Sequence, residues 1–340
     1  MKILVTGYHN PLYQTIVEYI ENGIKKLGHE LISFDDHQHI FPGRIRNKLK
    51  FLDHFDTKRI NKKLLYLAIE NKPELVIVTQ GFDIQKETVQ HIHNLGITIV
   101  MWVIDAPINF SNILDAAPCY DFIFCGGTEA VDIFEKLNFK NIKWLPFACD
   151  PEYHYPVKED GRNPSSFRKD VVFVGSNYTN RNKIFESLDL QSFDFGIWGS
   201  GWDKVEKNSP LKQYIQKTHT GPEEWVRIYS NSKIILVTHY PSTKEIPVYQ
   251  ASPKIYEAMA CGGFVLCDDQ KDVRDLFNDG EHLVIFKDTE NLNDMINYYL
   301  THEAERHEIA ARGYKETLKK HTYAHRIEQM LSILESSGIL

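Results

Sequence analysis

Cysteine is scarce in this 340-residue chain. The five present, Cys119, Cys125, Cys149, Cys261 and Cys267, are odd in number and form no CxxC pair. A disulfide framework and a zinc site are therefore not expected, and a reducing compartment is. Several of these thiols lie in apolar runs, where a free cysteine behaves as a small hydrophobe. Long hydrophobic runs are missing as well. None approaches the ~18 residues of a membrane span, so integral membrane contact is not expected. Basic charge is not in excess: 39 Lys and Arg stand against 46 Asp and Glu, a net charge of −7. That balance argues against a general nucleic-acid coat. Neither GxGxxG nor a Walker lysine motif occurs, which disfavours a dinucleotide dehydrogenase or a P-loop enzyme. There is no short repeat and no low-complexity tract. The opening MKILVTG reads as a strand rather than a signal peptide, so the expected location is cytoplasmic.

What is present is a rhythm. Apolar runs at Lys2–Gly7, Glu30–Asp35, Glu74–Gln80, Ile97–Asp105, Asp121–Gly126 and Asn141–Phe147 alternate with helical patterns. Pro151–Lys169, with Pro156, Gly161 and Pro164, reads as a linker. A second series follows at Asp170–Ser176, Asp194–Gly199, Lys233–His239, Phe264–Asp269 and His282–Phe286, and the chain from Leu292 onward is helical in pattern. Runs apolar on both faces predict parallel strands covered by helices. Two such blocks predict an α/β protein of two Rossmann-like domains facing a cleft, with ligands beyond the carboxyl ends of the strands. One local charge concentration stands out, the basic stretch Arg44–Lys63, which is either a solvated helical face or a docking surface for something acidic.

The most informative segment is Ser252–Gly263, SPKIYEAMACGG, followed directly by a strand. Ser252 suits an N-cap and Pro253 the first helical position. Gly262–Gly263 stops the helix. The helix N-terminus can attract a phosphate, and Glu257 can accept hydrogen bonds from vicinal hydroxyls such as those of ribose. Lys254 places a cation in the first turn, against the dipole, a position that suits a phosphate beside it. Other strand-end loops add candidates. Gly175 and Ser176 with Arg181 can meet a diphosphate. Trp202, closing Gly199-Ser-Gly-Trp, can stack on a base or pack in the core. His239 and Lys244 bound a polar loop able to close over phosphates. In the first half, Tyr8 and His9 follow the first strand, and imidazole is a general base near neutral pH. Asp105, at the end of WVID, can orient or deprotonate an acceptor or cap the turn. Gln80, Gly81 and Asp83 follow another strand.

These residues resemble a known family. SPKIYEAMACGGFVL resembles the donor-binding motif of the CgeB-like branch of GT-B glycosyltransferases. FVGS (Phe173–Ser176), WLPFACDPEYHYP (Trp144–Pro156) and WVIDAP are similar to further elements of it. The resemblance implies the GT-B fold, with residues 1–155 as acceptor domain and 156–320 as donor domain. It also implies that 321–340 form a helix packing back on the first domain. It implies transfer of a sugar from a nucleotide-diphosphate sugar, with no metal or other cofactor required; a hexose-type sugar and a UDP-sugar donor are the expectation. Glu257 would bind the ribose; Lys254, Ser252, Ile255, Gly175 and Ser176 would lie along the donor. Asp105, then His9, would serve catalysis, with Tyr8, Gln80 and Gly81 on the acceptor side. Related retaining enzymes carry a second glutamate eight positions before Glu257; here that residue is Tyr249, so the stereochemistry stays open. The acceptor stays open too: a polymer, a protein, a modified nucleic acid or a small molecule. A homodimer is possible. Two alternatives remain, a non-catalytic nucleotide-sugar-binding protein of the same fold and a sugar-nucleotide epimerase of similar architecture.

Overall fold

The computed structural model describes residues 1–105, 107–158, 167–243 and 245–340. Its contacts divide the chain into two units, Met1–Pro146 with Tyr323–Leu340, and Phe147–Thr322.

The first unit contains β1 (Lys2–Gly7), α1 (Ile16–Lys26), β2 (Glu30–Asp35), α2 (Gly43–Arg46), α3 (Lys50–Asn71) and β3 (Leu75–Thr79). It continues through α4 (Lys86–Asn94), β4 (Thr98–Val103), β5 (Phe122–Cys125), α5 (Thr128–Lys136) and β6 (Ile142–Trp144). The six strands form one parallel sheet in the order β2-β1-β3-β4-β5-β6. Every residue of β3 is buried, as is all of β4 after Thr98, which is why both read as unbroken apolar runs. Helix α1 starts at a capping box: Glu18 accepts the Thr15 N–H at 2.7 Å, and the Thr15 hydroxyl accepts the Val17 N–H. It buries Val17, Ile20 and Ile24.

The second unit contains β7 (Val171–Val174), α6 (Thr179–Glu186), β8 (Phe195–Trp198), β9 (Ile215–Lys217), α7 (Pro222–Asn231) and β10 (Ile234–Val237). It ends with α8 (Pro253–Ala260), β11 (Val265–Asp268), α9 (Lys271–Leu276), β12 (Val284–Phe286), α10 (Thr289–Thr301) and α11 (Glu303–Lys320). Its sheet is also parallel, ordered β12-β11-β10-β7-β8-β9. Helix α12 (Tyr323–Ser336) then packs on α1 in the first unit.

Strand β9 was not expected, because it is a three-residue edge strand whose Gln216 and Lys217 face solvent. The Pro151–Lys169 segment, where it is described, is held to the second unit. Val157 donates to Ser230 at 3.0 Å and accepts from Asn231, and Phe167 accepts from Ser232.

Strand order locates the places where ligands bind. In the first sheet the chain reverses direction between β1 and β3, and in the second between β7 and β10. Loops leaving the carboxyl ends of such a pair splay apart and leave a crevice.

Candidate functional site

In the second unit the crevice lies between the loops after β7 and β10. Gly175 leaves β7 and its N–H bonds Trp198 O at 2.8 Å. The loop after β8 presses on it: Gly199 has φ +134, and a Cβ there would sit 2.2 Å from Gly175 O. Only glycine fits that contact. Arg181, on α6, is buried and turned inward across the crevice. Its guanidinium donates to Ser176 O at 2.5 Å, Thr238 Oγ1 at 2.9 Å and Thr238 O at 2.6 Å, so one cation ties both switch-point loops. It also lies over the rings of Phe173 and Tyr178, at 4.9 and 4.5 Å. Burial lowers its pKa to about 10, which measures how poorly water serves this charge.

Helix α8 enters from the other side. Ser252 is its N-cap by position, but its side chain makes no cap hydrogen bond. Instead the Ser252 N–H donates to His239 Nε2 at 3.0 Å, while His239 Nδ1 bonds Asp268 at 2.5 Å. Asp268 also accepts the His239 N–H. This chain fixes the imidazole as the Nδ1–H tautomer and sets where α8 begins. Lys254 extends along the loop after β7, since a Cβ on Gly175 would stand 2.8 Å from its Cε and 3.3 Å from its Nζ. Burial and the Arg181 cation lower the Lys254 pKa, while Glu257, one turn on, opposes them. Burial raises that of Glu257 against the pull of Lys254. The crevice therefore holds two cations, Arg181 and Lys254, in poor contact with water, which is an arrangement that favours an anion. Exposed Tyr178 and partly exposed Tyr240 meet edge to face at 5.3 Å beside it.

In the first unit the loops after β1, β3 and β4 carry polar side chains. The His9 ring bonds Gly7 O at 3.0 Å through Nδ1 and Glu21 at 3.0 Å through Nε2, with Ser33 Oγ at 3.1 Å from Nε2. Burial alone would lower its pKa, but the hydrogen bond and charge of Glu21 prevail and raise it to about 9. Gln80 adopts φ +64, and its Oε1 accepts the N–H groups of Ile104 and Asp105, both at 2.9 Å. Asn109 donates to Asp105 Oδ2 at 2.7 Å. Tyr8 is exposed and packs edge to face on His37 at 4.9 Å. Asp35, Asp36 and His37 are spaced as a metal group. Their carboxylates already serve His37 Nδ1 at 2.6 Å, the His37 N–H at 2.9 Å and the Thr6 hydroxyl at 3.3 Å. A cavity of about 560 Å³, lined by Gln90, His93, Asp121 and Asn141 among others, opens beside the start of β5, the edge opposite the crevice.

Residues 181–332 match the family described as glycosyl transferase-like. Spore protein CgeB of Bacillus subtilis (strain 168) is 21% identical over 262 residues, covering 74% of this chain and 80% of CgeB. A sucrose-phosphate synthase from Thermosynechococcus elongatus aligns with a TM-score of 0.70 at 10% identity, over 99% of each chain. Anabaena HepE, solved with UDP and glucose, aligns with a TM-score of 0.65 at 12% identity, over 99% of this chain and all of HepE. The whole chain has the GT-B fold and is a distant relative of CgeB.

In the second unit the fold brings neighbours together from the residues that sequence reasoning named: Ser176, Arg181, His239, Ser252 and Lys254 lie around Gly175 and Thr238, with Glu257 one turn beyond Lys254. Their roles divide differently from expectation. Trp202 cannot stack on a base, because it is fully buried, stacked on Phe185 and bonded to Gly175 O. Ile255 is fully buried and offers no side-chain contact. Arg181 and His239 have their hydrogen-bonding atoms spent on the Ser176 and Thr238 carbonyls, the Thr238 hydroxyl, the Ser252 N–H and Asp268, so they shape the crevice rather than line it. Lys244 lies outside the described residues. Outside that unit, Asp105, Gln80 and Gly81 are close together, but His9 is held as an imidazolium and has no lone pair for a base near neutral pH. Sequence reasoning passed over Tyr178 and Thr238. Each sits in a strand-end loop or closes a strand, and that position was the available signal.

Proposed function

We propose that this protein is a glycosyltransferase that takes a sugar from a nucleotide-diphosphate sugar, UDP-sugar by preference, and passes it to an acceptor hydroxyl. The observation that carries the reading is the pair of poorly hydrated cations, Arg181 and Lys254, around the Gly175–Ser176 loop at a topological switch point. A diphosphate there would meet Lys254 directly, the Arg181 field, and the N-terminus of α8. Glu257, one turn along α8, is positioned for the ribose hydroxyls. Tyr178 replaces Trp202 as the ring available for a base. HepE, of similar fold, was solved with UDP-glucose, which supports a nucleotide-sugar donor. On the acceptor side Asp105, oriented by Asn109 and the Gln80-built loop, serves as general base for the attacking hydroxyl.

Titration calorimetry with UDP and UDP-sugars tests the donor site. Lys254→Met and Glu257→Ala are expected to weaken binding about 10- to 100-fold, a loss of ~1.4–2.7 kcal/mol, with an unchanged melting profile. Unaltered affinity in both would overturn the assignment. Tyr249, standing where related retaining enzymes have a glutamate, supports one other reading, a nucleotide-sugar-binding protein without turnover. Release of UDP from UDP-sugar, with or without candidate acceptors, separates the two.

A further inference from the structure

Helix α3 is apolar on two faces, and the sheet uses only one. Ile60, Leu64 and Ala68 are fully buried, and Asp56 and Asn61 beside them are buried too. At 3.6 residues per turn, Phe51, Phe55, Lys58, Lys62, Tyr66 and Ile69 fall within an arc of about 80° on the opposite side. The four apolar members of that stripe are each at least half exposed, from 50% at Ile69 to 67% at Phe51. The segment before the helix extends the patch with exposed Ile40, Ile45 and Leu49. Seven of the sixteen large apolar side chains exposed among the described residues therefore lie between Ile40 and Ile69.

The patch is built, not frayed. Buried Asp56 accepts the N–H groups of Ile40 and Phe41 at 3.0–3.1 Å, and Phe41 packs edge to face on Phe55. Arg46 is bound to Asp53 at 2.7 Å. Those two aspartates are the only acidic residues between Arg44 and Lys63, against eight Lys and Arg. Both are spent on internal bonds, which leaves Arg44, Lys48, Lys50, Lys58 and Lys62 exposed. In a chain of net charge −7, this face is locally and strongly cationic.

Aromatic and aliphatic side chains interleaved with lysine on one helical face match the boundary between headgroups and acyl chains, with cations left on the phosphates. A second copy is disfavoured, because a symmetric pairing would set Lys58 and Lys62 against themselves. Single-stranded nucleic acid would use the aromatic rings but not Ile40, Ile45, Leu49 or Ile69, which have no stacking face. We propose that the outward face of α3, with the segment from Ile40 to Leu49, docks on a bilayer surface carrying anionic headgroups. The inference rests on the first unit alone and stands whatever the donor.

Flotation of the full chain with phosphatidylcholine vesicles, with and without about a third phosphatidylglycerol, tests it. The protein is expected to float with the anionic vesicles only and to be released above ~0.5 M salt. Replacing Lys58 and Lys62 by Ser should weaken partitioning about 25-fold, at roughly fivefold per charge. Phe51→Ser with Phe55→Ser should weaken it at least ~10-fold, with the circular-dichroism melt lowered by no more than the Phe41–Phe55 ring contact supplies, because Phe51 and Phe55 are each at least half exposed. Absence of flotation at low salt overturns the proposal. So does full flotation of the phenylalanine variant, which would reduce the face to a polyanion contact. A dimer in light scattering that this variant dissolves would assign the face to a second copy, and oligonucleotide binding without vesicle binding would assign it to nucleic acid; either result overturns the proposal.

Discussion

His9 shows how one unseen partner changes the chemistry of a residue. From sequence it was a candidate base after the first strand; in the fold Glu21, twelve residues on and across a turn of α1, holds its proton. A raised folded-state pKa stabilises the protein fully below the unfolded value of ~6.5, and the contribution fades as pH rises through about 9. His9→Gln should therefore lower stability by on the order of 1 kcal/mol at about pH 6 and hardly at all near pH 10. Urea midpoints at the two pH values check this, and an equal loss at both would contradict the charged pair. Arg181 was legible as a cation near the donor loop, but not as a cross-brace, because nothing in its neighbours announces an inward rotamer. Arg181→Met strands the Ser176 and Thr238 carbonyls and should cost about 3 kcal/mol in denaturant unfolding. A melt within a degree of wild type would show that the brace is dispensable.

Secondary elements were the most readable level, because parallel strands buried on both faces leave unbroken apolar runs. β4 and β10 could hardly be read otherwise, and α8 announced itself through Pro253 at its start and Gly262, φ +77, past its end. β9 could not be read, since an edge strand with two of three side chains in water carries no such run. The loops between elements make a finer prediction. Gly199→Ala drives a Cβ into the Gly175 carbonyl, and neither backbone can yield, so a loss of about 2–4 kcal/mol is expected on thermal unfolding. Gly175→Ala meets the far end of Lys254 at 2.8 Å, which can swing away, and the tip of the Phe173 ring at 3.0 Å, which need shift only a few tenths of an ångström. It should leave the melting temperature within a few degrees while weakening UDP binding about 10-fold or more by calorimetry, at ~1.4 kcal/mol per tenfold. If both variants behaved alike, the assignment of Lys254 to the ligand would fail.

At the scale of the whole molecule, the sequence announced two α/β blocks by a repeated rhythm, while strand order came only with the coordinates. Periodicity says which faces are buried but not which strands are neighbours, so the switch point that brings Ser176 and Thr238 onto one Arg181 was invisible. α12 depends on the same non-local logic. Its Tyr323, Ile327, Met330 and Leu334 are buried, and Gly23 of α1 lies against the Tyr323 backbone so closely that a Cβ would stand 2.9 Å away. Gly23→Ala should therefore destabilise the first unit by about 1–3 kcal/mol in urea unfolding; no change would place the packing elsewhere. The discontinuity of that unit also orders events on the ribosome. Synthesis reaches β1 before Phe147–Thr322 and α12 only after it. The nascent first sheet must wait, its α1 flank uncovered, until some 180 further residues have emerged, at ~5–20 residues per second. The second unit, continuous in sequence, can close during that wait, so the half made second is the half that finishes first.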